Sequence, residues 1–267
     1  MELLENKVAT VFAANGAIAR EVSIALAQNG ATVFLSGRNR EAVEQLANEI
    51  NRSGGTAKAY QADATNEEEI DAFLMKVVEE AGRLDIAFNG IGLRAQELQF
   101  GTPSTELPFE KFMEAQRVHL GSQFLTARAA AKHMMAARSA GTIITLSASL
   151  SRIKMPFMVG ITAACAGIEG LTRVLAAEFG RAGIKVVCLN STALVETRTI
   201  QETQQLNAQA IGIPEQVLAE QLQQGYLLGK SPSTQDIGKM VVFLATDTGA
   251  LLNSHVVDAD FGVQSVI

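Results

Sequence analysis

The 267 residues carry 22 Lys and Arg against 28 Asp and Glu, a formal net charge of −6 with a pI near 5.2. This excludes the concentrated basic surface that a nucleic-acid partner needs, and 48% hydrophobic with 19% charged residues excludes a disordered chain. Two cysteines, Cys165 and Cys188, are too few for a disulfide framework and point to a reducing cytoplasm, no apolar run approaches the roughly 20 residues of a membrane span, and Met1-Glu-Leu-Leu-Glu-Asn6 lacks the regions of a signal peptide.

Short apolar runs predict strands at Val8–Phe12, Thr32–Leu35, Ala57–Tyr60, Asp85–Phe88, Thr142–Leu146, Lys185–Leu189 and His255–Val257. Most are nearly continuous in apolar character, as in a parallel sheet covered on both faces. The first strand runs through Phe12-Ala-Ala-Asn15-Gly-Ala-Ile18-Ala19 into an amphipathic helix bearing Val22, Ile24, Ala25 and Leu26. Asn39 is placed to cap a helix whose buried stripe is Val43, Leu46, Ala47 and Ile50. Thr65-Asn-Glu-Glu68 reads as a capping box ahead of Ile70, Phe73, Leu74 and Val77.

Strand and helix alternate across residues 1–267 without a Pro/Gly/Ser-rich linker. The fold class is therefore α/β: one single-domain, Rossmann-like doubly wound fold, a seven-stranded parallel sheet with helices on both faces. Residues 197–229 break the alternation. They are rich in Gln and interrupted by Gly212 and Pro214, and they predict a helical excursion with Leu206, Ile211, Val217 and Leu218 as its apolar contacts. Ligands of open α/β sheets bind beyond the carboxyl ends of the strands, so the excursion reads as a lid over that crevice; a dimer contact or plain insertion is the alternative.

Two segments carry a more specific pattern: Arg117-Val-His119-Leu-Gly-Ser-Gln-Phe-Leu-Thr126 and Ile161-Thr-Ala-Ala-Cys165-Ala-Gly-Ile-Glu-Gly-Leu-Thr172. With them, residues from about 6 to 262 resemble the short-chain dehydrogenase/reductase family. The resemblance implies NAD(P)-dependent hydride transfer by a Ser, Tyr, Lys and Asn tetrad in that family. Here it places Ala148 at the serine, Ile161 at the tyrosine, Cys165 at the lysine and His119 at the asparagine. The tyrosine is the family's general acid, and isoleucine has no proton to give. Ser147 and Ser149 flank Ala148, but alternation along a strand turns them from the lost serine's direction. Tyr226, in the excursion, stays open as a residue of the site.

The family's glycine-rich phosphate loop aligns its three glycines with Ala13, Ala17 and Ala19 and its threonine with Phe12; Gly16 falls at a variable place. Added methyl groups crowd a diphosphate that backbone N–H groups should approach closely, so the expectation is no cofactor or weakly bound NADP(H). The resemblance leaves Asn15, Ile18, Arg38, Asp63, Ala64 and Asn89 as candidate cofactor-binding residues, with Arg38 matching the partner of a 2′-phosphate and Asp63 an adenine contact. Structure alone also accounts for Arg38 as a solvated charge and Asp63 as a turn residue. Ser191-Thr-Ala193 replaces a Pro-Gly turn, and Asp258-Ala-Asp260 stands where Asp-Gly-Gly is usual. The three histidines form no metal-ligand spacing with either cysteine.

Three readings follow. The favoured one is a non-catalytic member that binds a small molecule or assembles, as a homo-oligomer (dimer or tetramer) or with an active homologue, through helices around Phe124–Met135 and Val159–Arg181. The second is an atypical NADP(H)-dependent oxidoreductase of a small carbonyl or alcohol that draws its proton from substrate or water. The third is nucleophile chemistry by a Cys165/His119 pair.

Overall fold

The computed structural model describes residues 2–92 and 94–263. The expected strands form one parallel sheet: β1 (Val8–Phe12), β2 (Thr32–Gly37), β3 (Thr56–Gln61), β4 (Ile86–Asn89), β5 (Gly141–Ala148), β6 (Ile184–Ser191) and β7 (Val256–Ala259). Their order is β3-β2-β1-β4-β5-β6-β7. Every residue of β1 and β6 is buried, which is what their continuous apolar runs require of central strands. Connections leave β1 in one direction and β4 in the other, and this reversal opens a crevice above the strand ends.

One face is covered by α1 (Ala17–Gln28), α2 (Arg40–Arg52) and α9 (Thr234–Ala245), with Val22, Leu26, Leu46, Ile237 and Val241 in its core. The other is covered by α3 (Glu67–Ala81), α5 (Ser122–Ala136) and α6 (Val159–Phe179), around Phe12, Phe73, Leu74, Met134 and Leu175. The stripe read for α2 is buried residue for residue, and Asn39 Oδ1 accepts from the Ala42 N–H at 3.1 Å. For α3 the cap is one residue later than the sequence reading. Asn66 accepts from the N–H groups of Glu68 and Glu69, while Thr65 is held by Asp63 through its N–H and hydroxyl at 2.9 and 2.8 Å. Asp63 offers the shorter local loop, so the amide next along is left to cap.

Residues Val159–Ala182, α6 and the 3-10 turn after it, are long and apolar enough by length and composition to cross a membrane, although their sequence holds charged residues and no unbroken apolar run of that length. Ile168, Thr172, Leu175 and Ala176 of this helix are buried, and Leu175 and Ala176 belong to the core on the sheet's second face.

The excursion consists of α7 (Arg198–Ile211) and α8 (Glu215–Gln224). Its contacts differ from the reading. Only Leu218 of the four apolar residues is fully buried, whereas Ile211 and Val217 are exposed. The buried face of α7 is instead Thr203, Gln204, Asn207 and Ala208. A mainly polar stripe faces inward because this helix borders a cleft and not the core.

Candidate ligand-binding cleft

A cleft of about 780 Å³ lies over the carboxyl ends of the strands. It is bordered by the loops after β1, β2, β4, β5 and β6 and roofed by α7 and α8. Its size falls within the usual range for small-molecule sites.

At one end is the turn from β1 to α1. Ala13 sits at φ 54°, the left-handed region that costs a non-glycine residue about 1–2 kcal/mol. Gly16 caps α1 with no side-chain bond, so the first N–H groups of the helix face the cleft between Ala17 and Ile18. The three alanines do not act alike. Ala17 is exposed and lines the cleft, Ala13 is half-buried there, and Ala19 is wholly buried away from it. The expectation that all three crowd a diphosphate is corrected to two. Ala19 meets Gly90: a Cβ built on Gly90 would lie 2.6 Å from the Ala19 Cβ. The helix keeps its close approach to the β4 loop because the missing side chain is on the other partner. Phe12 points into the core and meets Phe73 edge-on at 5.4 Å.

Asn15, Ile18, Arg38, Asp63 and Ala64 all border this end. The exposed Arg38 guanidinium makes no ion pair with any described residue. Asp63 spends one carboxylate oxygen on Thr65. Asn89 does not belong with them. Its side chain donates to Ser122 and Thr126 at 3.2 and 3.1 Å and accepts from the Ile91 N–H at 2.9 Å, which ties β4 to α5 behind the cleft. Full commitment to buried partners turns it from any ligand.

The middle of the cleft holds three of the four replaced positions. Ala148 ends β5, and Ile161 lies in the first turn of α6 beside Met158. Together with Phe100, Leu150 and Met155 they form an apolar wall. Cys165 packs behind Ile161, fully buried, and does not line the cleft. Burial pushes its thiol pKa up, against hydrogen bonding from the Ala148 backbone and Ser147. His119 sits in a π-helical turn, Gln116–Gly121, between α4 (Phe109–Ala115) and α5. Desolvation lowers its pKa to about 4, with the Ile91 carbonyl pulling the other way, and Nδ1 has no partner. A fully buried thiol that does not line the cleft and shares no hydrogen bond with the imidazole among the described residues does not make an activated pair. The Cys165/His119 reading is therefore corrected.

Ser147 donates to the Cys165 carbonyl at 3.1 Å, yet it also borders the cleft, against the expectation that alternation turns it away. Ser149 opens a 3-10 turn beyond β5, where alternation no longer applies, and it too borders the cleft. Tyr226 also lines the cleft. Its hydroxyl lies 3.2 Å from the Thr192 hydroxyl and donates to the Ala193 carbonyl at 3.2 Å, and burial raises its pKa. Sequence reading missed Gln204 and Asn207, although the spacing Thr203, Gln204, Asn207, Ala208 is the i, i+3, i+4 signature of one helix face.

Comparison with known proteins places this architecture. A family model described as enoyl-(acyl carrier protein) reductase matches residues 12–264. The chain belongs to the short-chain dehydrogenase/reductase family. An uncharacterized oxidoreductase of Bacillus subtilis (strain 168) is 27% identical, over 99% of this chain and 93% of its own. A D-threitol dehydrogenase of Mycolicibacterium smegmatis is 26% identical, over 98% and 95%. The crystal structure of an NAD+-bound xylitol dehydrogenase superposes with a TM-score of 0.89, covering 97% of this chain and 99% of that one, at 22% identity. The last likeness establishes the fold.

The xylitol dehydrogenase holds NAD+ in its crystal structure, and the Arg38 end of this cleft has features that fit a dinucleotide. Arg38 makes no ion pair among the described residues, the α1 N-terminus presents free N–H groups, and Gly37 lets the β2 loop pack against Val43 and Asn15, which stand 2.9 and 3.0 Å from where a Cβ would be. Arg38, Asp63 and Ile18 would hold such a group. The Ala13 and Ala17 methyls narrow the stretch between.

Proposed function

We propose that this member of the family is a non-catalytic binding protein: it takes a small molecule in its cleft, holds NADP(H) weakly or not at all, and assembles with a second copy or an active homologue in the cytoplasm. One observation carries the reading. The cleft wall where the family keeps its serine and tyrosine is Ala148 and Ile161 among Phe100, Met155 and Met158. A hydride acceptor there meets neither a proton donor nor a carbonyl-polarising group from those positions. His119 is held neutral, which removes the nearest imidazolium. Assembly is supported by apolar side chains left exposed on α5 and α6, among them Phe124, Met135 and Val174.

A second reading keeps the chain an NADP(H)-dependent oxidoreductase. Arg38, without an ion pair among the described residues, favours it, as do Ser149 and Tyr226 at the cleft, two hydroxyls that the family pattern does not supply. Calorimetric titration with NADPH and NADH separates the two. The first reading expects no saturable heat below millimolar dinucleotide. Micromolar NADPH binding that is lost in Arg38→Ala would overturn the expectation of weak or absent dinucleotide binding and favour the second.

A further inference from the structure

The polar atoms left without partners are not scattered. Five buried side-chain atoms among the described residues have none: Ser36 Oγ, His119 Nδ1, Asn190 Oδ1, Gln204 Nε2 and Asn207 Oδ1. Three of the five residues border the one cleft. Gln204 and Asn207 stand three apart on α7, hence side by side on one face, and are only 8% and 2% exposed. The Asn207 Nδ2 group donates to the Met158 sulfur at 3.3 Å. A thioether only accepts, so this contact sets the amide's orientation and leaves Oδ1 as the unmet atom. Both residues line the cleft, and at its wall the pair holds one unmet donor, on Gln204, and one unmet acceptor, on Asn207. Burying both unmade is unfavourable, and a water beside them would border the thioether and methyl groups of the apolar wall.

Charge is settled nearby. Glu202 on α7 takes both Arg94 nitrogens, at 2.6 and 3.1 Å, and Arg198 at 2.8 Å. Arg94, which borders the cleft, and Arg198 beside it are spent on a carboxylate of the protein itself; Lys154, exposed beside Met155 at the opposite wall, is a cation of the cleft with no ion pair among the described residues. A charged ligand head would find no free counter-charge on this helix.

We infer that the inner cleft takes an uncharged amphipathic molecule, whose apolar body lies on the Phe100–Met155–Met158–Ile161 wall and whose head accepts from Gln204 and donates to Asn207. A primary carboxamide meets both demands at the spacing of neighbouring helix positions. The inference rests on reading the cleft as a binding site, and it names the chemistry of what binds. It holds whether or not a dinucleotide also enters.

The test uses the full chain with 13C-methyl methionine and no dinucleotide. Octanamide, methyl octanoate and sodium octanoate are titrated in turn, followed by the Met155 and Met158 methyl resonances and by calorimetry. The ester keeps the chain and the acceptor but lacks the donor; octanoate brings charge. Octanamide should bind about tenfold more tightly than either, the worth of one satisfied buried hydrogen bond. Asn207→Leu should bring the amide-to-ester ratio near one, and Gln204→Leu should weaken amide and ester alike with the ratio kept, while Tm is kept or raised in both, since each removes an unpaired buried group. Equal affinity for amide and ester in the unaltered protein overturns the inference without any variant having to fold. So does a preference that survives Asn207→Leu, an affinity for the amide unchanged in Gln204→Leu, or titration without movement of the Met158 resonance. Dinucleotide turnover would sink the non-catalytic reading and leave the ratio untouched, so the two failures are distinguishable.

Discussion

Gly90→Ala tests the one place where the phosphate loop has been rebuilt and not merely altered. The new Cβ would stand 2.6 Å from the Ala19 Cβ, 3.3 Å from the Ala19 Cα and 3.1 Å from a Phe88 ring carbon. Ala19 and Phe88 are wholly buried, so neither can step aside into solvent. Overpacking of this kind costs about 1–3 kcal/mol. Ala19→Gly, at a helical position, costs about 1 kcal/mol by propensity. If the two residues exchange one space, the double variant should recover most of the Gly90→Ala loss, a coupling of about 1–3 kcal/mol. Urea unfolding of the four proteins, read from midpoints at constant slope, gives the cycle. Additivity within about 0.5 kcal/mol would refute the claim that Gly90 compensates for Ala19.

Three further outcomes follow from the same cleft. Ala13→Gly relieves a left-handed φ of 54° and should stabilise the protein by about 0.5–1 kcal/mol after the glycine's greater unfolded-state freedom is deducted; a loss of stability in urea would contradict it. His119 has a folded pKa near 4 against 6.5 for the free side chain. Because protons bind the unfolded chain first, stability should be full above pH 6.5 and fall by about 3 kcal/mol as pH drops toward 4, a slope that His119→Asn should remove. Burial raises both thiols, Cys188 to about 12, so neither should react with a disulfide reagent at pH 7.5 until the protein unfolds. Rapid labelling of Cys165 in the native protein would reinstate it as a nucleophile.

The sheet was legible mainly because buried parallel strands write themselves as nearly unbroken apolar runs, and β1, β2, β4, β5 and β6 fall where those runs fall, whereas the edge strands β3 and β7 are partly exposed and more mixed in sequence. Helix α2 was legible for the matching reason, an apolar stripe of regular period behind a capping asparagine. The cleft was only half legible. Arg38 and Asp63 follow strand ends and can be placed from topology, but Asn89 looks the same in sequence whether it faces a ligand or, as here, Ser122 and Thr126. The three loop alanines look equivalent in sequence, yet Ala19 is turned into the core against a glycine 71 positions away. Gln204 and Asn207 were hidden by a habit of reading apolar residues as the inward face, which fails for a helix whose inner side borders a cleft. Ser149 was misplaced because β5 ends one residue before it.

The central claim is that this short-chain dehydrogenase/reductase binds in its cleft without performing the family's chemistry. Consumption of NADPH and NADH by purified protein over a panel of aldehydes and ketones, from pH 6 to 9, tests it most directly. The account expects rates indistinguishable from protein-free controls for every pair. Saturable, protein-dependent oxidation of either dinucleotide would contradict it, and loss of that rate in Tyr226→Phe or Ser149→Ala would say which hydroxyl had taken over.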